Sequence, residues 1–174
     1  MPTDFLSPAQ IVGYVAFALG VVAFLQKNDI RLKWLNAIQN IAYVAHFFLL
    51  GNSPAVVSCG LGAFRFALSV KYSNLWLALG FIVANVGLGL AVMDGPVGLL
   101  PIAGSSIATW AVFRLKGLPM RFLLLSATAC WLANNILCGS IGGTLLEAFI
   151  GVANVTTICR MLAARRRERG AGRA

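Results

Sequence analysis

Seven runs of almost unbroken apolar residues divide the chain, at Pro8–Gln26, Leu35–Leu50, Pro54–Val70, Leu75–Met93, Val97–Leu115, Arg121–Leu137 and Gly143–Leu162. Each is close to the ~20 residues an α-helix needs to cross a bilayer. A membrane-spanning strand would alternate apolar and polar positions, and these runs do not. They predict helices. Turn signals punctuate the short connections: GNSP at Gly51–Pro54, DGP at Asp94–Pro96, GLP at Gly117–Pro119 and GSIGG at Gly139–Gly143.

Composition turns helices into membrane helices. Hydrophobic residues make up 59% of the chain and charged residues only 11%, against about a quarter charged in soluble domains. Mean hydropathy is +0.84. So little charge cannot cover an aqueous surface, so the expectation is an all-α polytopic membrane protein with seven transmembrane helices. The opening MPTDFLSPAQ lacks the positive region of a cleaved signal peptide, so the first run is expected to be a retained span.

Charge then orients the spans. Lys27, Asp29, Arg31 and Lys33 fall in the first connection, Lys71 in the third, and Arg114, Lys116 and Arg121 in the fifth. The second and sixth connections carry no charge and the fourth carries only Asp94. Basic connections thus alternate with neutral or acidic ones. The positive-inside rule then gives an external N-terminus and a cytoplasmic C-terminus. Trp34, Trp76 and Trp110 fall toward the cytoplasmic side, where interfacial aromatics belong. The net charge of +9 comes largely from the tail RRRERGAGR. Beside a span, that tail is expected to be disordered and to rest on anionic lipid rather than bind nucleic acid.

The span pattern also repeats. Runs one to three (residues 8–71) and five to seven (97–162) match in length and loop character, with a linker helix at 75–93 and the tail at 163–174. This is a 3+1+3 parallel-repeat arrangement in a single membrane domain. An offset of 88 pairs Ala45 and Gly51 with Ala133 and Gly139, Tyr43 with Trp131, and His46 with Asn134. An insertion in the turn would make the offset 89 in the last helix. Ser58 then pairs with Glu147, Gly62 with Gly151, Arg65 with Asn154 and Lys71 with Arg160.

Several blocks resemble the YgjV family of small bacterial inner-membrane proteins: IVGYVAFALGVVAFLQ, HFFLLG, LLPIAGSSIATWAVFRLKGLPMR and GSIGGTLLEAFIGVANVTTICR. They spread over most of the chain, and the resemblance implies an inner-membrane location. The 3+1+3 plan is also similar to that of the SWEET and PQ-loop transporters, by architecture alone. Their proline–glutamine signature is not matched. Pro8 and Gln10 stand at the edge of the first helix, and Pro101 is followed by Ile102.

Ionisable groups at bilayer depth are costly and tend to line pathways. The chain has three, His46, Arg65 and Glu147, joined by Gln39, Asn40, Asn85, Asn134, Asn135 and Asn154. Helical spacing sorts many of the polar groups into four stripes: Gln39–Tyr43–His46, Ala127–Trp131–Asn134, Ser58–Gly62–Arg65–Ser69 and Glu147–Gly151–Asn154. These predict one polar cavity lined by helices two, three, six and seven. Tyr43, Arg65, Trp131, Asn134 and Asn154 are the candidate substrate-binding residues. His46 and Glu147 are candidates for an external gate or a proton-coupling pair. Structural roles stay open beside each. His46 can bond a neighbouring helix, and Arg65 can snorkel to the surface. Glu147 can reach external water, the two asparagines can glue helices together, and Trp131 can face lipid.

Cys59, Cys130, Cys138 and Cys159 form no CxxC pair, so small buried apolar groups are expected rather than a metal site or disulfides. No hydrolase, metalloprotease or phosphate-loop motif is present, so no enzyme and no cofactor are expected. The sequence favours a small carrier for a polar or carboxylate-bearing solute. A membrane receptor or partner subunit with the same cavity is the alternative, and the oligomeric state is left open.

Overall fold

Four polar residues set where the first four helices begin. Ser7, Asn28, Asn52 and Asn74 each turn a side-chain oxygen onto the first amides that follow, which satisfies donors that a helix start leaves open. The computed structural model describes residues 5–26, 28–72 and 74–171. Lys27 of the first basic connection lies outside them, as do the last three residues of the tail and the side chains of Asp29, Arg165, Arg167 and Arg169.

The helices are α1 (Pro8–Phe24), α2 (Asp29–Leu49), α3 (Ser53–Ser69), α4 (Leu75–Ala91), α5 (Leu99–Arg114), α6 (Gly117–Leu137) and α7 (Ile141–Ala171). A single 3₁₀ turn, Pro96–Gly98, leads into α5. No strand occurs among the described residues. Among the described residues, three segments are long and apolar enough to cross a membrane: Pro96–Arg114, Gly117–Leu137 and Ile141–Ala164. Pro8–Ala23 and Leu75–Ala91 are apolar but shorter.

Three boundaries differ from the sequence expectation. Helix α2 starts at Asp29, not Leu35, because the Asn28 cap starts it before the apolar run begins. Helix α6 starts at Gly117, so the GLP stretch is helical from its first residue. Pro119 falls in the first turn, where a missing N–H costs nothing. Helix α7 continues to Ala171, so the tail expected to be disordered is helical instead. Arginine and glutamate are good helix formers, and the tail simply extends a helix already nucleated in the apolar run.

Packing follows a ring. Helix α1 lies on α2 and α7, α2 on α3, α3 on α5, α5 on α6, and α6 on α7. Helix α4 packs on both α3 and α5, along their seam. There Asn85 accepts from the Ser58 hydroxyl (2.8 Å) and donates to Ile102 O (2.9 Å) and Ser106 Oγ (3.1 Å). One amide thus joins three helices. Helices α1 and α7 cross at Gly13 and Gly142, where a Cβ on Gly142 would collide with the Gly13 carbonyl. Small residues permit that close backbone approach.

The outer surface is apolar: Phe48, Phe64, Trp76, Val83 and Val152 are all exposed. Trp34 and Trp110 are exposed as well. Cys159 is exposed on this surface, whereas Cys59 is buried as expected.

Candidate functional site

A cavity of about 250 Å³ occupies the middle of the ring. Five helices line it: the four expected, α2, α3, α6 and α7, together with α5 through Ser105 and Ala108. Helix α2 contributes Asn36, Gln39, Asn40, Tyr43 and Phe47, while α6 contributes Leu124, Ala127, Thr128, Trp131 and Asn135. These two sets stand 88 positions apart, residue for residue. Helix α6 adds Arg121. From α3 come Cys59, Arg65 and Phe66, and from α7 Leu146, Glu147, Ile150 and Asn154.

Of the candidate binding residues, the structure brings Tyr43, Arg65, Trp131 and Asn154 to this wall. Phe47 joins the two expected aromatics, with ring centroids 5.4 Å from Tyr43 and 5.9 Å from Trp131. A Cβ on Gly104 would lie 2.9 Å from Trp131 Cδ1, so this glycine makes room for the indole. Trp131 therefore packs inward, not toward lipid. Arg65 does not snorkel away. Its Nη1 donates to Thr109 Oγ1 at 3.0 Å, and its guanidinium lies 4.8 Å from the Phe66 ring centre. Asn154 donates to the Arg121 carbonyl at 2.9 Å, and its side-chain oxygen is buried with no partner.

Asn134 is not on the wall. Its neighbour Asn135 is, because the cavity-facing stripe of α6 runs Arg121, Leu124, Thr128, Trp131, Asn135. Asn134 instead accepts from Asn52 Nδ2 at 2.8 Å.

His46 and Glu147, expected to face each other, are not paired. Glu147 lines the cavity with Thr128 as its hydrogen-bonding neighbour. His46 is fully buried against α1 and the α6–α7 turn. Its Nδ1 lies 2.7 Å from Ala9 O and its Nε2 2.7 Å from Ser140 Oγ. A backbone carbonyl only accepts, so Nδ1 carries the proton and Nε2 accepts from the serine. Gly13 leaves the space this ring fills, since a Cβ there would lie 2.7 Å from His46 Cε1.

The two turns at this end share one geometry. Gly51 and Gly139 take φ of 72° and 73°, the left-handed conformation that glycine adopts after a helix. Leu50 N bonds His46 O, as Cys138 N bonds Asn134 O. Asn52 N bonds Phe47 O, as Ser140 N bonds Asn135 O. Val56 N bonds Asn52 O, as Thr144 N bonds Ser140 O. Asn52 caps Ala55 N and Ser140 caps Gly143 N, each at 3.2 Å. The offset of 88 therefore continues through the turn into α7, and the expected inserted residue is absent. On the wall it pairs Cys59 with Glu147 and Phe66 with Asn154. Gln10 closes the second turn by donating to Gly139 O (2.6 Å) and accepting from Ile141 N (3.1 Å).

The family model described as "Bacterial inner membrane protein" (Imp-YgjV) matches residues 7–165. The chain belongs to the YgjV family. It is 40% identical over 152 residues to "Inner membrane protein YgjV" of Escherichia coli (strain K12), an alignment that covers 87% of this chain and 83% of the relative. No solved structure matches it.

As a YgjV-family chain, this is a bacterial inner-membrane protein. Sequence reasoning about this YgjV-family chain missed Asn36, Arg121 and Thr128 as wall residues. The signal was present. Extending the α6 stripe backward from Trp131 by about three turns reaches Thr128, Leu124 and Arg121. Arg121 was counted as a loop charge because the helix was expected to start there.

Proposed function

We propose that this protein is a small, non-enzymatic carrier for a polar solute, built from two parallel three-helix repeats with α4 as linker. The observation that carries the reading is the cavity whose α2 and α6 walls correspond residue for residue at an offset of 88. It lies between the proposed halves, where transporters with internal repeats bind their solutes. The two equivalent turns and the ring order support the same plan. Exchange of the two triplets carries the α1–α7 interface onto the α5–α3 interface.

In this reading all seven helices span the membrane, the shorter ones by local thinning. The connections with Arg31, Lys71 and Lys116 face the cytoplasm, and the tail rests on anionic lipid. The solute is small, since the cavity lies just below the ~300 Å³ lower edge of ligand pockets. Arg65 suits a carboxylate because its guanidinium presents several donors in a fixed plane. His46 with Ser140 closes the external end, and Glu147 meets the solute or its coupled proton.

Uptake into proteoliposomes across a metabolite panel tests this. Accumulation that falls at least tenfold in Arg65→Ala is expected. No uptake from any solute, with Arg65→Ala indistinguishable from wild type, would sink it. A ligand that stabilises the protein without being taken up favours a receptor instead.

A further inference from the structure

The polar groups of the cavity are unevenly distributed. Asn135 and Asn154 are 2% and 4% exposed, both line the cavity, and the side-chain amide oxygen of each is buried with no hydrogen-bond partner. Carbonyl oxygens only accept. Glu147, on the same α6–α7 side, is a third acceptor, with Thr128 as its hydrogen-bonding neighbour. A buried acceptor left unmatched costs about 1–3 kcal/mol. Two of the three have no partner in the protein, and one of them, Asn135, lies with Glu147 toward the Gly51 and Gly139 turns.

The cations lie elsewhere. Glu147 stands six residues into α7 and Arg65 twelve into α3. Both helices start from equivalent turns, so at 1.5 Å per residue their backbones differ in depth by about 9 Å. Arg121 is farther still from those turns, one turn into α6. Arg65 commits Nη1 to Thr109, which leaves its other N–H groups for a ligand. One end of the cavity thus holds a carboxylate and an unpartnered acceptor without a cation, while the other holds cations without a carboxylate.

We infer that the cavity takes a small zwitterion of the ω-amino acid type, its ammonium at Glu147 and Asn135 and its carboxylate at Arg65. This rests on the carrier reading and narrows it. The ammonium supplies three N–H donors to Asn135 and Glu147 and neutralises the Glu147 carboxylate. The carboxylate engages the guanidinium several bonds away, and Tyr43 and Trp131, level with Glu147, pack against the start of the methylene chain. A solute with adjacent charges, such as an α-amino acid, cannot reach both ends at once.

The test uses three probes of one length on the full chain in nanodiscs: δ-aminovalerate, valerate and n-pentylamine. Ligand binding raises the melting temperature, and a saturating ligand on a protein of this size shifts it by about 5 °C. δ-Aminovalerate is expected to give that shift, with less than half of it from either singly charged analogue. Glu147→Gln is expected to erase the advantage over valerate, and Arg65→Ala the advantage over pentylamine. If Glu147→Gln fails to fold, Asn135→Leu takes its place, since it removes an acceptor that has no partner in the protein. Equal shifts from valerate or pentylamine would overturn the zwitterion while leaving a carrier for a singly charged solute. No shift from any probe, with another solute taken up, overturns it too. No shift and no uptake of any solute overturns both.

Discussion

Asn52 and Asn134 are joined by a hydrogen bond of 2.8 Å, and the residues 88 positions after the first and before the second, Ser140 and His46, are joined at 2.7 Å. Each turn therefore reaches across to the helix that precedes the other turn. The two links are the same contact made twice, in opposite directions. Ser140→Ala leaves His46 Nε2 without its donor in a fully buried site and uncaps Gly143. A loss of about 1–3 kcal/mol is expected, read by denaturation in micelles. Asn52→Ala is expected to cost a similar amount. If the two links close one end together, the double variant should lose less than the sum, and strict additivity would argue that they act separately.

The Gly13–Gly142 crossing gives a second prediction. In Gly142→Ala the new methyl meets backbone, which cannot swing aside. Overpacking of this kind costs about 1–3 kcal/mol. Gly80→Ala and Gly87→Ala serve as controls, because nothing lies within 4 Å of a Cβ at either position. Those two are expected to be neutral or stabilising by up to about 1 kcal/mol. A Gly142→Ala protein as stable as the controls would mean that α1 and α7 do not touch there.

Asn135→Leu separates binding from folding. Its side-chain oxygen makes no bond in the folded chain, so its removal should leave the melting temperature of the empty protein level or higher. Solute binding should fall by about tenfold or more. A large drop in stability instead would show that Asn135 is structural glue.

Gly104→Val should push the Trp131 indole into the cavity, since even a Cβ there comes within 2.9 Å of the ring. Solute affinity should drop by about tenfold or more while the fold persists. Unchanged affinity would place the solute away from the aromatic cluster.

Orientation is tested by cysteine labelling in a chain whose four native cysteines are replaced by serine. Ser53→Cys, exposed at the start of α3, should react with an impermeant maleimide added outside intact spheroplasts. Lys116→Cys, exposed before α6, should react only after lysis. The reverse pattern would invert the topology.

Much of this was legible from pattern alone, and the failures share one cause. All seven helices and the polar wall of α2, α3, α6 and α7 follow from apolar runs and helical spacing. Helix starts were misplaced where a cap, Asn28, or a tolerated proline, Pro119, extends a helix into polar sequence. The wall was misread at the ends of the stripes. Periodicity cannot tell position 134 from 135 or 46 from 47 when both are one helical turn from a known member. That choice belongs to what packs behind, here α1 through Ala9 and Gln10, which no stripe on α2 or α6 reveals. Arg121 was hidden because a basic residue beside a turn signal reads as a loop charge.

The clasp of Gln10 on the α6–α7 turn has a consequence for how the chain is made. Its two partners lie 129 and 131 residues later. Helix α1 is made well before these partners, so its interface with the α6–α7 hairpin can form only after that hairpin has been made. Until then Gln10 lacks Gly139 and Ile141, and His46 lacks Ser140. A chain stopped after α6 should be trapped in that state, and membrane proteases would meet it as an unfinished product even though six of its seven helices are in place.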